Sequence, residues 1–244
     1  QLLRRSADRV LKTVMELGGN APFVVFDDAD VDAAVAGAVV AKMRHSAETC
    51  TAANRFYVGA GVVDEFADKL TIAMRDDVKV GNGFDEGVTC GPMINAKAVA
   101  SINELVTAAT DHGATIATGG GAVDGPGHFY PPTVLGNVRS GDEITRHEIF
   151  GPVAPVIGFD DTEQMIADAN DTEMGLTGYV YTADLRRGLA VSERIQAGMI
   201  GLNRGAVSAP AAPFGGMKQS GLGREGASEG IYEFCETQYI AADW

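Results

Sequence analysis

Helix-patterned and strand-patterned stretches alternate along almost the whole chain, and this alternation restricts the fold more than any other feature of the sequence. The opening stretch QLLRRSADRVLKTV reads as an amphipathic helix. TVMELGGNAPFVVF follows as two strand-like pieces split by a Gly-Gly turn. DDAD provides an N-cap and an acidic first turn for a helix over Val31–Met43, whose apolar and small residues mark it as buried. RFYVGAG reads as the next strand. VVDEFADKLTIAM and AKAVASINELVTAATDHG have the spacing of amphipathic helices, the second closed by Gly113. ATIATGG, PTVLGNV, VAPVIGF, TGYVYT and MIGLN read as strands, with TEQMIADAN and DLRRGLAVSERIQAG as helices among them. The pattern predicts one compact α/β lobe with a glycine-rich segment from Pro213 onward.

The formal charge of −14 excludes a nucleic-acid or anionic-membrane partner, since no basic patch offsets repulsion by phosphates. Three scattered cysteines, Cys50, Cys90 and Cys235, form neither a disulfide framework nor a zinc site, so no metal is expected. A reducing, cytoplasmic setting is the simpler reading. No apolar run approaches ~18 residues, the length of a membrane span. The chain starts without a methionine and reads as a piece of something longer.

GLGREG matches G-x-G-x-x-G at Gly221, Gly223 and Gly226, but no strand precedes it and no acid follows about 20 residues on, so it reads as a loop. GGG at 119 to 121 and DGPG at 124 to 127 are turn signals. The sequon Asn170-Asp171-Thr172 is idle in a reducing compartment.

A thiol needs a cation, a helix N-terminus or a base to become reactive. Cys90 lies in the turn GVTCGP and Cys235 beside acidic and aromatic residues, neither an activating setting. Cys50 has Arg44 and His45 upstream and a helix start at Thr49, and it stands at a break between helix and strand. On these grounds it reads either as a nucleophile or as a small hydrophobe. Glu16 and Glu148 interrupt apolar runs; each is either a water-exposed strand-end carboxylate or a buried acid put to use.

MELGGN, the Cys50 segment RHSAETC, HEIFGPV and PFGGMKQSGLGREG stand in the order and spacing of the aldehyde dehydrogenase superfamily, which the chain resembles from Gln1 to Trp244. ELGGNAPFVVFDDAD, CGPMI, ANDTEMGL and QSGLGREG resemble its succinate-semialdehyde dehydrogenase branch. Family members are much longer, and the match is to their C-terminal half. The resemblance implies an α/β catalytic domain over 25–218, with a mostly parallel twisted sheet flanked by helices. It also implies a remnant of the cofactor domain over 1–24, and a return segment with an oligomerisation strand over 219–244. Cys50 then corresponds to the nucleophile that forms a thiohemiacetal and a thioester, with its backbone N–H holding the oxyanion. Glu16, 34 residues earlier, corresponds to the base that activates water. Glu148 corresponds to the residue that binds the nicotinamide ribose, with Phe150, Leu17 and Gly18 also on the cofactor, NAD or NADP. Arg44 and Ser208 correspond to the anchor for the distal carboxylate of a semialdehyde. The full-length protein is expected to be a homo-oligomer, dimer or tetramer, and this chain alone is expected to have no turnover.

Three positions depart from the family. Ala47-Glu48 stands where Gly-Gln is common, and an inward Glu48 would raise the pKa of the Cys50 thiol. Arg204 replaces a small polar residue, and Ala52 replaces the second cysteine of a redox switch, so no switch is expected. Two rival readings remain: a cysteine hydrolase pairing Cys50 with His45 or His147, and a non-catalytic lobe whose CETQYIA tail adds as a strand to another subunit.

Overall fold

The computed structural model describes residues 1–123 and 125–244; Asp124, where the DGPG signal begins, lies outside the described residues. In chain order the first elements are α1 (Leu2–Ala7), β1 (Met15–Glu16), β2 (Ala21–Val25), α2 (Val31–Met43), β3 (Ala53–Gly59) and α3 (Val63–Asp76). There follow α4 (Ala96–Asp111), β4 (Thr115–Thr118), β5 (Thr133–Gly136), α5 (Glu143–Arg146), β6 (Val153–Phe159) and α6 (Thr162–Asn170). The last are β7 (Met174–Gly175), β8 (Thr177–Tyr181), α7 (Leu185–Arg194), β9 (Met199–Leu202), β10 (Met217–Lys218), β11 (Gly221–Leu222) and α8 (Ala227–Tyr232).

Seven strands form one sheet in the order β4-β5-β6-β3-β2-β8-β9, parallel throughout except where β4 meets β5. The central strands β2, β3 and β8 are buried at every position, as strands covered on both faces must be. Side chains of a strand alternate between faces. Phe23 and Val25 therefore join Phe56, Phe66, Tyr179 and the buried residues of α2 and α3 on one side. Val24 and Phe26 join Tyr57, Ile102, Val106 and the buried residues of α4, α6 and α7 on the other. Asp30, Asn95, Asp161 and Asp184 each accept a backbone N–H at the start of α2, α4, α6 and α7. Among the described residues no helix is long and apolar enough to cross a membrane.

Two expectations are corrected. The opening helix stops at Ala7 rather than running to Val14, because none of its residues is buried and a helix this short gains nothing from packing. No helix starts at Thr49: the Ala52 N–H bonds to the Thr49 carbonyl, closing a turn that leads into β3. β2, a central strand of the sheet, runs through Val25. Residues 235–244 have no regular secondary structure in this chain and are exposed.

The two ends of the chain meet. Met15 pairs with Leu222 and Glu16 with Gly221 in an antiparallel bridge. A Cβ at Gly221, whose φ is +138°, would collide with the Met15 carbonyl, so the glycine of GLGREG admits the strand β1. Ser220 completes the clasp, its hydroxyl donating to the Gly18 carbonyl (2.7 Å) and accepting from the Gly175 N–H (2.9 Å).

Candidate active site

Cys50 sits on a turn between α2 and β3 and is half-buried. The turn is reached through three successive residues in the left-handed region, His45, Ser46 and Ala47, with φ of 52°, 57° and 66°. A left-handed conformation costs an L-residue about 1–2 kcal/mol. Two hydrogen bonds from a neighbouring segment offset part of that cost. The Ser46 hydroxyl accepts the Gly91 N–H at 2.8 Å, and the Glu48 carboxylate accepts the Ile94 N–H at 3.0 Å. Glu48 thus faces Ile94, and the charges that raise the Cys50 pKa are others, which corrects the expectation drawn from an inward Glu48.

Burial pushes the Cys50 thiol up first, the Glu16 and Glu148 carboxylates push it further, and its own N–H and the Thr49 hydroxyl oppose them. The structure therefore brings Cys50, Glu16 and Glu148 together from three separate segments. The backbone between the two acids passes directly over the cysteine, since a Cβ at Gly19 would collide with the Cys50 carbonyl oxygen. Neither glycine of the pair has a positive φ; what they provide is close approach.

Glu148 is firmly held. Its Oε1 accepts the Gly19 N–H at 2.8 Å, and a Cβ at Gly18 would strike Oε2. The segment that carries it is pinned by Asn54, whose amide donates to the His147 carbonyl (2.7 Å) and accepts the Ile149 N–H (3.3 Å). Asn54 also donates to the side chain of Asn20 at 2.7 Å. Burial raises the Glu148 pKa, while the Gly19 N–H and the Lys42 ammonium lower it. Glu16 differs: both carboxylate oxygens are buried without a hydrogen-bond partner. Its pKa is raised by burial and by Glu225, and lowered by Arg224.

Arg44 points back over the turn, Nη2 donating to the Thr51 hydroxyl at 3.1 Å. Ser208 is exposed on the loop after β9 and makes no side-chain hydrogen bond among the described residues. Phe150 is 41% exposed at φ +49°, and Leu17 is 48% exposed. Neither histidine pairs with the thiol. His147 Nε2 bonds to Glu143 at 2.6 Å on the surface, and His45 is exposed.

Lys42, Asn20 and Asn54 escaped the sequence reading. Lys42, on the last turn of α2, is fully buried, its Nζ has no hydrogen-bond partner, and burial drives its pKa down to about 7 against the pull of Glu148. The signal was present: Lys42 follows Ala38 by four residues and Val35 by seven, which puts it on the inward face of α2 with two buried residues. The two asparagines are polar interruptions at the starts of buried strands, where a polar side chain must find partners.

Residues 1–240 match the family model described as the aldehyde dehydrogenase family. The chain is 54% identical over 240 residues to a succinate-semialdehyde dehydrogenase of Paenarthrobacter nicotinovorans, covering 98% of this chain and 53% of that protein. It is 48% identical to a glutarate-semialdehyde dehydrogenase of Pseudomonas aeruginosa, covering 98% and 50%. The crystal structure of an NADP-dependent enzyme of E. coli superposes with a TM-score of 0.96 at 47% identity, covering 98% of this chain and 50% of that one. The chain spans about half the length of the curated relatives it matches.

Proposed function

The chain belongs to the aldehyde dehydrogenase family, and on that premise we propose that Cys50 is the nucleophile in the oxidation of a carboxylated semialdehyde to its acid. The observation that carries this reading is the convergence of two carboxylates from distant segments on one half-buried thiol. The Cys50 sulfur loses its proton to solvent and bonds to the aldehyde carbon, and the carbonyl electrons move to oxygen, where the Cys50 N–H receives the charge. An oxidised nicotinamide, when bound, would supply the acceptor for the hydride, and Cys50 would then hold the acyl group as a thioester. Glu16 takes a proton from water, the water oxygen attacks the thioester carbon, the C–S bond breaks and the acid leaves. An acid with both oxygens unpartnered is suited to this work because no competing donor must be broken away first.

Glu148 has an oxygen beyond the one engaged by Gly19, which fits an acceptor for ribose hydroxyls, and exposed Phe150 and Leu17 offer apolar surface to a nicotinamide. We assign NAD or NADP to these residues and Gly18. Arg44, with Ser208, is the anchor for the substrate's distal carboxylate, and the relatives' names favour a four- or five-carbon semialdehyde. On this reading the chain corresponds to the C-terminal half of its relatives, with the catalytic domain ending near residue 218 and the remainder returning to β1. Alone it is expected not to oxidise the semialdehyde or reduce NAD or NADP, while an activated ester, already at the oxidation level of the acid, can still acylate Cys50.

The test is to treat the chain with an activated ester of succinate and locate the acyl group by mass spectrometry, alongside reduction of NAD and NADP with succinate semialdehyde. A thioester on Cys50, lost in Cys50→Ala, is expected. Acyl transfer that survives Cys50→Ala, or that disappears when His45 or His147 is replaced, would overturn the assignment.

A further inference from the structure

The turn that presents Cys50 is strapped to the segment between Cys90 and Asn95, and this attachment is independent of both carboxylates. Ser46 and Glu48 accept the N–H groups of Gly91 and Ile94, on alternate sides of the left-handed Ala47. The far segment is itself anchored. The Met93 N–H bonds to the His128 carbonyl at 2.8 Å, and Asn95 caps α4. Ala47 has no exposed surface, so the turn cannot relax into solvent without first leaving these contacts. We propose that Glu48 is a positioning residue: its carboxylate, acting as an acceptor for the Ile94 N–H rather than as a charge beside the thiol, holds the strained turn that aims the Cys50 sulfur.

The inference rests on the assignment of Cys50 as nucleophile, and it makes a claim that assignment does not. If Glu48 works as an acceptor, glutamine can replace it, because an amide carbonyl accepts the same bond, whereas alanine cannot. If Glu48 works through its charge, glutamine and alanine should behave alike. Releasing the turn has two opposite consequences for the sulfur. It becomes more open to a small reagent and less well aimed at an acyl carbon.

Three measurements on the chain decide the matter: amide exchange at Ile94, alkylation of Cys50 by iodoacetamide across pH, and acylation of Cys50 by the activated succinate ester. In Glu48→Ala, Ile94 exchange should quicken about tenfold, the loss of one hydrogen bond. Alkylation should also quicken, with its pH midpoint lower because burial is the first cause of the raised value. Acylation should slow. Glu48→Gln should match the parent in all three. Ser46→Ala, which removes the companion bond, should move the three readouts in the same directions, and it keeps the proposal open to refutation if Glu48→Ala does not fold. The proposal is overturned if Glu48→Gln tracks Glu48→Ala, if alkylation and acylation move together, or if Ile94 exchange changes with no effect on Cys50. A parent chain that cannot be acylated at Cys50 would instead sink the assignment of the nucleophile.

Discussion

Glu16 and Glu148 act on the same sulfur but are held in opposite ways. Glu148 is half-buried with an N–H on one oxygen, a glycine cleared for the other and an ammonium group nearby to favour its charge. Glu16 is half-buried with both oxygens covered and nothing bonded to either, and the nearest charges oppose one another. A fastened carboxylate keeps one position, which suits a group that binds. An unfastened one has no donor to give up before it meets a proton, which suits a group that shuttles one.

The largest expected effect lies on the unfastened side. Replacing Glu16 with Gln should slow hydrolysis of acyl-Cys50 by about 10²–10⁴-fold, the usual span for a lost general base, so that thioester accumulates. The Cys50 thiol should also titrate lower, because one of the two anions that raise it is gone. The same change made at Glu148 should leave hydrolysis within severalfold of the parent. Equal losses at both positions, followed by quenched single-turnover assays, would erase the distinction.

The next effect tests what fastens Glu148. Lys42 is depressed to about 7, so the unfolded chain binds that proton more strongly than the folded one between this value and 10.5. Its stability cost is therefore complete below about pH 7 and is relieved as pH rises toward the unfolded value. Lys42→Met should stabilise the fold by about 1–4 kcal/mol on the acid side and flatten the rise in stability with pH. Glu148 should then titrate higher, having lost the cation that lowers it. Urea unfolding across pH measures the first outcome, and an unchanged pH slope would show that the ammonium is not the buried group in question. Gly18→Ala follows in size. Its Cβ strikes Glu148 Oε2, so a loss of about 1–3 kcal/mol is expected from overpacking. The thermal midpoint reports it, and the effect should shrink in a Glu148→Ala background, where the colliding carboxylate is gone.

Most of the frame was legible in the sequence and the fastening was not, for reasons that particular residues make plain. The α2 boundaries follow from Asp30 and the apolar run after it, and β2, β3 and β8 follow from the short apolar or aromatic runs PFVV, FYV and YVY, because caps and periodicity are local. The bridge of β1 to β11 joins pairs of residues about 200 apart, and two residues carry no period to read. Glu48 illustrates the sharper limit. Its sequence position beside Cys50 suggested an electrostatic partner, yet side-chain direction is set by three left-handed residues whose conformation no propensity announces, and the carboxylate turns to Ile94.

The smallest effect isolates that turn from the two acids. Ala47→Gly removes the penalty of a Cβ at φ +66° while adding backbone freedom to the unfolded chain. The first change is worth about 1–2 kcal/mol in favour and the second about 0.4–1 kcal/mol against. A net gain of about 1 kcal/mol is therefore expected in urea unfolding. The Cys50 thiol, by contrast, should keep its pH midpoint, because neither Glu16 nor Glu148 has moved and the strap through Ser46 and Glu48 still holds. A gain in stability with an unchanged midpoint would leave the two carboxylates as the charges that set the thiol. A midpoint that falls with Ala47→Gly would instead assign that control to the strained backbone, and the contrast between the fastened and the unfastened acid would lose its chemical meaning.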